Sequence, residues 1–410
     1  MAERAVDHLL IGGGLAAANC ARWLREEGDE GSILLVGRET DPPYNRPPLS
    51  KKYLGGQESR EDVLFRPDEW WEEQRIELLT RTSVMKLDAG ERRVKLSNGD
   101  EVTFDKALLA TGANVRRLRA EGSDLDGIHY LRALGNSDAI ARDASEAERV
   151  VLIGGSYIGC EVAATLTARG KKCAIVMQED VTFERVYGPE VGRFFQAVLE
   201  DHGVEIHGGD SLAGFEGADG RVTHVVTESG LSLEAGCVVI GAGVIPDVTL
   251  AKAAGLELGE AGGVKCSSRL ETSVPGIYAA GDICEYDSVV HGRSLRIEHW
   301  DVAFNTGKTA GLNMMGRDVA HEEIPYFFSD LADWASSEYV GPGSGDVVVR
   351  GSMEDGKFTA FYVDPDSGAV TAALTVGRSD DLEHARRFIR EKTAPDREKL
   401  ADAGTDLGEF

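Results

Sequence analysis

Two stretches of the chain share the same order of hydrophobic and small residues. Each begins with an apolar run that predicts a buried strand, at His8 to Ile11 and at Val150 to Ile153. Each run stops at a glycine cluster and passes into an alanine-rich pattern that predicts a helix. A further strand is predicted about 20 residues later, at Ser32 to Val36 and at Lys172 to Met177. The letters of the two stretches are HLLIGGGLAA (8–17) and VVLIGGSYIG (150–159).

Several other predicted strands also end in small residues. Alternating positions at residues 83–104, around the turn dipeptide Asn98-Gly99, predict a β-meander. Three apolar runs then close on small residues, namely FDKALLATGA (104–113), CVVIGAGVIPD (237–247) and GIYAAGD (276–282). Small residues at a strand end allow the backbone to approach a ligand closely.

From Pro325 onward the pattern changes to short strands and one amphipathic helix. The strands are predicted at 347–350, 358–363 and 370–376, and the helix at 381–390. We expect a separate C-terminal domain here. The polar stretch from Thr393 is expected to be loosely ordered.

The order strand, glycine cluster, helix is the one that binding of a dinucleotide requires. The first glycine permits the tight turn, and the next small residue lets backbone NH groups approach a pyrophosphate. The last small residue, Ala17 or Gly159, lets the helix pack closely on the strand. The phosphates then lie at the positive end of the helix dipole. One such turn is also typical of ordinary tight turns, whereas two in full context predict two dinucleotide sites.

Composition and charge exclude several functions. The net charge of −26 opposes encounter with nucleic acid and with anionic membranes. No stretch approaches the ~20 apolar residues of a membrane span. Residues 1–7 lack the layout of a signal peptide, so we expect a cytoplasmic protein. The six cysteines form no C-x-x-C pair, which predicts neither a metal site nor a disulfide framework.

Taken in order, five motifs resemble those of the flavoprotein pyridine-nucleotide oxidoreductases. They are GGGLAA (12–17), PYNRPPLSK (43–51), the letters ATG (110–112) at the end of a predicted strand, GGSYIGCE (154–161) and TSVPGIYAAGD (272–282). PYNRPPLSK narrows the resemblance to the branch of ferredoxin reductases of oxygenase systems, rubredoxin reductases and apoptosis-inducing-factor-like proteins. The resemblance runs from about residue 6 to about residue 390, nearly the whole chain.

The resemblance implies an α/β fold with two Rossmann-like domains of the glutathione-reductase type and a small α+β C-terminal domain. The first unit is expected to hold FAD (residues 1–114 and 245–324), the second NAD(P)H (115–244), and the C-terminal domain follows (325–410). The implied FAD residues are Gly12, Gly14, Leu15, Ala16, Glu39, Arg46, Lys51, Ala110, Thr111, Gly112, Gly281, Asp282 and Trp300. The implied NAD residues are Gly154, Gly155, Ser156, Tyr157, Ile158, Glu161, Glu179, Gly243 and Phe328.

The same resemblance gives Lys51 and Glu161 a functional role. In the family the position of Glu161 faces the flavin, so the two residues are expected to form an ion pair that tunes the flavin and aligns the nicotinamide. Arg46 and Lys51 lie where a basic side chain can reach the FAD phosphates or the flavin ring. Alternatively, Glu161 is an acidic residue favoured by the helix dipole, and Arg46 and Lys51 belong to an exposed basic loop.

Three further residues also have two interpretations. Asp282 is expected to bond the ribityl or phosphate part of FAD, but an aspartate beside glycine can also cap a helix. Trp300 and Phe328 are expected to wall the flavin ring or to stack on nicotinamide, or else to be ordinary core aromatics.

Both nucleotide units depart from the usual pattern. Ser156 replaces the middle glycine of the second turn, and its hydroxyl can itself bond a phosphate. In the first unit Arg38 and Glu39 compete for the ribose position, and we choose Glu39. In the second, Met177 stands where the ribose-binding acid is usual, and Glu179 is the acid nearby. A carboxylate there repels a 2'-phosphate, so NADH is favoured over NADPH.

The absence of cysteine from residues 41–54 decides the reaction class. Disulfide reductases of this superfamily need a redox cysteine pair next to the flavin, and this stretch has none. We therefore expect an NADH-dependent flavoprotein that passes electrons singly to a [2Fe-2S] ferredoxin or a rubredoxin. Alternatives are reduction of monodehydroascorbate, a quinone or oxygen, or a redox-responsive interaction protein of the apoptosis-inducing-factor kind.

An acidic ferredoxin needs a basic docking surface on this acidic chain. Arg116, Arg117 and Arg119, with Lys51 and Lys52, are candidates for that surface, although a solvated charge cluster is an equal alternative. The sequence leaves a homodimer open.

Overall fold

The computed structural model describes residues 3–410. The α-helices are α1 (Leu15–Glu26), α2 (Arg60–Val63), α3 (Asp68–Glu73), α4 (Leu134–Glu146), α5 (Tyr157–Ala168), α6 (Glu184–Asp201), α7 (Thr249–Ala253), α8 (Trp300–Met314), α9 (Asp381–Glu391) and α10 (Arg397–Ala401). No helix in this range is long and apolar enough to cross a membrane.

The strands alternate with these helices in the two nucleotide units and dominate the C-terminal part. They are β1 (Glu3–Ile11), β2 (Ile33–Val36), β3 (Ile76–Leu79), β4 (Val84–Asp88), β5 (Arg93–Leu96), β6 (Glu101–Leu109), β7 (Ala113–Val115), β8 (Ile128–Tyr130), β9 (Arg149–Ile153), β10 (Lys172–Val176), β11 (Glu205–His207), β12 (Leu212–Ala218), β13 (Arg221–Thr227), β14 (Ser232–Glu234), β15 (Cys237–Ile240), β16 (Val244–Pro246), β17 (Val264–Cys266), β18 (Ile277–Ala279), β19 (Cys284–Ser288), β20 (Arg293–Leu295), β21 (Tyr326–Leu331), β22 (Ala335–Val340), β23 (Asp346–Ser352), β24 (Lys357–Val363) and β25 (Val370–Val376).

Within the described residues, unit 1 comprises residues 3–45, 60–114 and 244–325. Its main sheet has the order β3-β2-β1-β6-β5-β4, and β18 also pairs with β6. Strands β3, β2, β1, β6 and β18 are parallel, whereas the predicted meander β4-β5-β6 is antiparallel. Continuous apolar runs such as β2 are buried throughout, as expected for strands covered on both faces.

Helices α1 and α8 of unit 1 approach each other closely because small residues lie between them. A Cβ atom on Gly307 would lie 2.3 Å from the carbonyl oxygen of Ala16. The buried Asn19 side chain donates from Nδ2 to the carbonyl of Phe304 at 2.6 Å. These contacts hold α1 and α8 closely against each other.

Unit 2 comprises residues 46–59, 115–243 and 326–410. It contains a parallel sheet of order β11-β10-β9-β15-β8, an antiparallel sheet β12-β13-β14, and the C-terminal sheet β21-β22-β25-β24-β23. Helix α9 packs on the C-terminal sheet, and its bounds match the predicted helix to one residue.

A shared aromatic core explains why the C-terminal sheet belongs to unit 2. The rings of Tyr157 and Phe183 lie 5.6 Å apart, and those of Tyr187 and Tyr339 lie 6.0 Å apart. The Tyr362 hydroxyl donates to the carbonyl of Tyr187 at 2.9 Å. Residues 115–243 and 326–410 therefore pack together in unit 2 around these rings.

The prediction of a loosely ordered tail from Thr393 is wrong. Residues 397–401 form α10, which Asp396 caps by accepting a hydrogen bond from the Lys399 backbone NH at 3.0 Å. The buried Arg350 guanidinium donates to several backbone carbonyls between Leu400 and Thr405, including that of Thr405 at 2.8 Å. This polar stretch is held in place by hydrogen bonds from the Arg350 side chain of β23. The local composition of the stretch does not reveal these bonds, because their donor is distant in sequence.

Candidate functional site

Four parallel strands of unit 1 end at one edge of the sheet. Ile11 pairs with Val36 and with Leu109, and Leu109 pairs with Ala279. The segments that follow these strands therefore lie at the same edge. The structure brings these predicted FAD residues together there: Gly12, Gly14, Leu15, Ala16, Glu39, Ala110, Thr111, Gly112, Gly281 and Asp282.

The glycine turn after β1 leaves room for a phosphate group. Gly12 has φ +129°, and a Cβ atom there would lie 2.1 Å from the carbonyl oxygen of Ala110, so a larger residue is excluded. Gly14 is the N-cap of α1, where it leaves the helix start without a side-chain cap, and the space where a Cβ would be is open. Backbone NH groups at such a helix start suit a pyrophosphate, so the residues fit FAD.

The turn after β9 repeats this construction in unit 2. The NH of Gly154 donates to the carbonyl of Val176 at 2.8 Å. In the same way, the NH of Gly12 donates to the carbonyl of Val36 at 2.8 Å. Gly154 has φ +108°, and a Cβ there would lie 2.5 Å from the carbonyl oxygen of Gly241. The two glycine turns are therefore built alike, which supports a second dinucleotide site.

Five of the residues predicted to contact NAD lie in this second turn and at the start of α5. Gly154, Gly155, Ser156, Tyr157 and Ile158 form the turn and the first residues of α5. Ser156 is the N-cap, and its hydroxyl forms no cap hydrogen bond. That hydroxyl is consistent with the predicted bond to a phosphate.

Gly243 lies beyond the end of the neighbouring strand β15. It has φ +85°, and its carbonyl accepts a hydrogen bond from the NH of Arg116 at 2.9 Å. No atom lies within 4 Å of the position of a Cβ on Gly243, so the backbone is open here.

After β10, a packed methionine occupies the position that is usual for the ribose-binding acid. Met177 is buried, and its sulfur lies 2.0 Å from where a Cβ on Gly155 would be. The Met177 side chain thus packs beneath the glycine turn. Glu179 follows, and its carboxylate contacts the exposed guanidinium of Arg185 in the first turn of α6.

Lys51 and Glu161 form the predicted ion pair. The Lys51 Nζ atom lies 2.8 Å from Oε1 of Glu161, whose side chain is 4% exposed. Two hydroxyls also donate to this carboxylate, Ser50 Oγ to Oε2 at 2.5 Å and Ser329 Oγ to Oε1 at 2.7 Å. The Lys51 ammonium also lies 5.5 Å from the ring centroid of Phe328. The charge of the buried carboxylate is thereby compensated by three donors.

The segment containing Arg46 and Lys51 belongs to unit 2, and hydrogen bonds between side chains and backbone carbonyls connect it to the rest of that unit. The Arg46 guanidinium donates to the carbonyl of Arg132. The Ser137 hydroxyl donates to the carbonyl of Leu49 at 2.8 Å. Arg46 and Lys51 are thus held in place rather than carried on a freely exposed loop.

Two predicted FAD residues of unit 1 have partners that the sequence did not reveal. Trp300, the first residue of α8, donates from Nε1 to Oδ1 of Asn45 at 3.0 Å. The Tyr44 hydroxyl donates to Oε2 of Glu39 at 2.5 Å. Both partners belong to the PYNRPPLSK motif, which is the only sequence signal that pointed to them.

All six cysteines are buried and free. Burial raises the pKa of the Cys173 thiol to about 11 and that of Cys237 to about 12. Burial also raises the pKa of Cys160 well above its ordinary value. These thiols are held in the neutral form, which is a poor nucleophile.

Comparison with known proteins gives a family that agrees with this geometry. Residues 6–307 match the family model described as pyridine nucleotide-disulphide oxidoreductase. The chain belongs to this family. Residues 338–410 match a second model, described as reductase C-terminal.

The relatives lie in the predicted branch. The chain is 32% identical, over 98% of each protein, to the 5,5'-dehydrodivanillate O-demethylase ferredoxin reductase subunit of a Sphingobium species. It is similar to the crystal structure of a ferredoxin reductase from Rhodopseudomonas palustris (TM-score 0.93, 32% identity, 98% of this chain and 99% of that one). It is also similar to putidaredoxin reductase in a covalent complex with putidaredoxin (TM-score 0.92, 32% identity, 98% and 97%).

These findings confirm the predicted family, branch and fold class. The protein is a flavoprotein oxidoreductase that uses FAD and NAD(P)H, with two Rossmann-like domains and a small α+β C-terminal domain. The roles predicted for single site residues stay predictions.

Ser50 and Ser329 are two further site residues that sequence reasoning missed. Ser50 precedes Lys51 within the PYNRPPLSK motif, and Ser329 follows the predicted residue Phe328. Their common partner lies 111 and 168 residues away in sequence, so only the fold shows that both reach Glu161.

Proposed function

We propose that this protein takes a hydride from NADH onto FAD and passes the electrons singly to a [2Fe-2S] ferredoxin or a rubredoxin. The observation that carries the proposal is the pair of like-built glycine turns, one per unit, in a chain whose residues 41–54 contain no cysteine. Two dinucleotides without a redox cysteine pair require an acceptor that takes electrons from the flavin directly. Two of the similar proteins named above are ferredoxin reductases, which supports such an acceptor.

The side chains and backbone of this protein bind and orient the two nucleotides. Bound FAD would supply the redox chemistry, which is to accept a hydride and to release electrons one at a time. In unit 1 the turn at residues 12–16 and the strand ends at Glu39, 110–112 and 281–282 hold FAD. In unit 2 the turn at residues 154–158, Glu179 and Gly243 hold the nicotinamide dinucleotide. Lys51 and Glu161 place a fixed charge pair that tunes the flavin.

NADH is the proposed donor in preference to NADPH. Glu179 is the carboxylate that follows β10, and a carboxylate at this position accepts bonds from ribose hydroxyls and repels a 2'-phosphate. The Arg185 contact offsets part of that repulsion, so the preference is a matter of degree. Measurement of kcat/KM for NADH and for NADPH tests this preference, and the value for NADH is expected to be the higher of the two.

Anaerobic stopped-flow mixing tests the proposed reaction as a whole. The purified yellow protein is mixed with NADH and then with a panel of ferredoxins, rubredoxin, quinone and monodehydroascorbate, while flavin absorbance is followed. We expect rapid bleaching and then rapid reoxidation by one iron–sulfur protein. Fast reoxidation only by quinone or monodehydroascorbate would refute the proposed acceptor. Long-wavelength absorbance that no acceptor discharges would instead indicate a redox-responsive interaction protein.

A further inference from the structure

The carboxylate of Glu161 lies at the centre of a buried cluster formed by three separate segments of unit 2. Ser50 belongs to residues 46–59, Glu161 to α5, and Ser329 to β21. The three residues are 2%, 3% and 3% exposed. Such a cluster is costly to bury unless every polar atom is bonded, and here each carboxylate oxygen has a donor.

The two serines constrain the carboxylate in a way that Lys51 alone does not. The terminal torsion of a glutamate is broad, so one cation can follow the carboxylate through a range of orientations. Ser50 bonds Oε2 and Ser329 bonds Oε1, so donors on different oxygens fix the plane of the group. The Lys51 ammonium shares Oε1 with Ser329, and its position is therefore set by that plane.

The backbone around Ser50 is fixed as well. The Thr165 hydroxyl, one turn along α5 from Glu161, donates to the carbonyl of Ser50 at 2.8 Å. The Ser337 hydroxyl of β22 donates to the carbonyl of Ser329 at 3.2 Å. Both serine hydroxyls thus start from anchored backbone positions.

We propose that Ser50 and Ser329 are positioning residues, which orient the Glu161 carboxylate and, through it, hold the Lys51 ammonium in one place for the reaction. This inference rests on the proposed function, in which Lys51 acts on the flavin. Loss of either hydroxyl frees the carboxylate to rotate and the ammonium to move. The backbone of the site stays where the other contacts hold it.

The test compares Ser50→Ala and Ser329→Ala with Ser137→Ala in the FAD-loaded protein. Ser137 is a matched control because its buried hydroxyl also anchors residues 46–59, through the carbonyl of Leu49, without touching Glu161. We measure the rate of Lys51 acetylation at fixed pH by mass spectrometry, and kcat and KM for NADH with ferricyanide. Removal of a bond to a charged group predicts a kcat about tenfold lower, with KM changed less than about twofold. We also expect severalfold faster acetylation of Lys51.

Unchanged acetylation and kcat in both alanine variants would overturn the inference, and so would equal changes in Ser137→Ala. Ser329→Cys keeps the size of the side chain with a weaker donor, so an intermediate effect is expected even if one alanine variant does not fold. Lys51→Met separates this inference from the proposed function. If Lys51→Met left kcat unchanged, Lys51 would have no role in the reaction, whereas faster acetylation in the serine variants would still show that they position it.

Discussion

At the scale of single residues, the contact between Arg185 and Glu179 predicts how nucleotide preference can be changed. Glu179→Ala leaves the Arg185 guanidinium, which is 72% exposed, free to meet a 2'-phosphate. We expect the ratio of kcat/KM for NADPH to that for NADH to rise about tenfold or more. Steady-state kinetics with both nucleotides measures this ratio.

The double variant Glu179→Ala/Arg185→Ala is the control for this effect. Without the guanidinium, the ratio should return towards the original value. A ratio that rises equally in the double variant would show that Arg185 does not meet the phosphate.

The residues around Lys51 show how far sequence reasoning reaches at this scale. The family resemblance predicts the ion pair with Glu161, and the structure contains it. The Ser50 and Ser329 hydroxyls were not predicted, because their role depends on three segments meeting in space. The Arg185 contact was also missed, since sequence shows only that an arginine follows Glu179 at a distance of six residues.

At the scale of elements, the two outer glycines of the first turn should respond differently to a methyl group. In Gly12→Ala the Cβ meets the Ala110 carbonyl and the residue has φ +129°, so we expect the free energy of unfolding to fall by at least about 3 kcal/mol. In Gly14→Ala the methyl enters open space at an extended backbone position, so stability should change by less than about 1 kcal/mol.

FAD affinity separates the two glycines further. The open space beside Gly14 is the proposed place of the pyrophosphate, so we expect Gly14→Ala to weaken FAD binding at least about tenfold in a stably folded apoprotein. Denaturant unfolding and FAD titration of the apoprotein measure both effects. Unchanged FAD affinity in Gly14→Ala would contradict the proposed place of the phosphates.

The C-terminal tail gives a second prediction at this scale. Arg350→Met removes the hydrogen-bond donors to backbone carbonyls within residues 400–405. It also removes the positive charge whose Nε atom lies 3.6 Å from the Asp381 carboxylate. We expect a loss of about 3 kcal/mol in the free energy of unfolding and faster amide hydrogen exchange in residues 396–410. Arg397→Met is the control, because the pair of Arg397 with Asp346 is about half exposed and should contribute less than about 1 kcal/mol. Equal exchange in both variants would refute the role of Arg350.

The apolar patterns near the glycine turns predict where strands β1, β2, β9 and β10 end to within about one residue, because apolar periodicity and glycine punctuation are local signals. The start of β1 at Glu3 lies well before the predicted start at His8. Strands β21 and β22 and helix α10 were missed. The burial pattern of β22 is irregular. The carbonyls at the end of α10 and beyond it are bonded by Arg350, which lies 47 residues before Arg397, the first residue of α10. What sequence could not give at this scale is therefore the contacts made over long distances.

At the scale of the whole molecule, the net charge of −26 opposes approach of an acidic ferredoxin, so a local basic surface has to offset it. Arg116, Arg117 and Arg119 are all exposed. The loop is held by the Leu118 NH, which donates to the Tyr130 hydroxyl at 2.9 Å, and the Arg117 guanidinium lies 5.2 Å from the Tyr130 ring centroid. A fixed loop presents its charges without a further ordering cost, which favours it as the docking surface.

Charge reversal tests this docking surface against the charge of the molecule as a whole. We expect Arg116→Glu/Arg117→Glu to lower kcat/KM for ferredoxin about tenfold or more at low salt and to weaken its dependence on ionic strength. NADH-to-ferricyanide activity should stay unchanged, because a small oxidant needs no docking surface. Lys86→Glu/Lys95→Glu makes the same change in net charge, two positive charges replaced by two negative ones, at two exposed positions on β4 and β5. An equal loss in this control would mean that net charge alone governs the encounter, whereas a loss confined to the arginine variant would assign docking to the loop after β7.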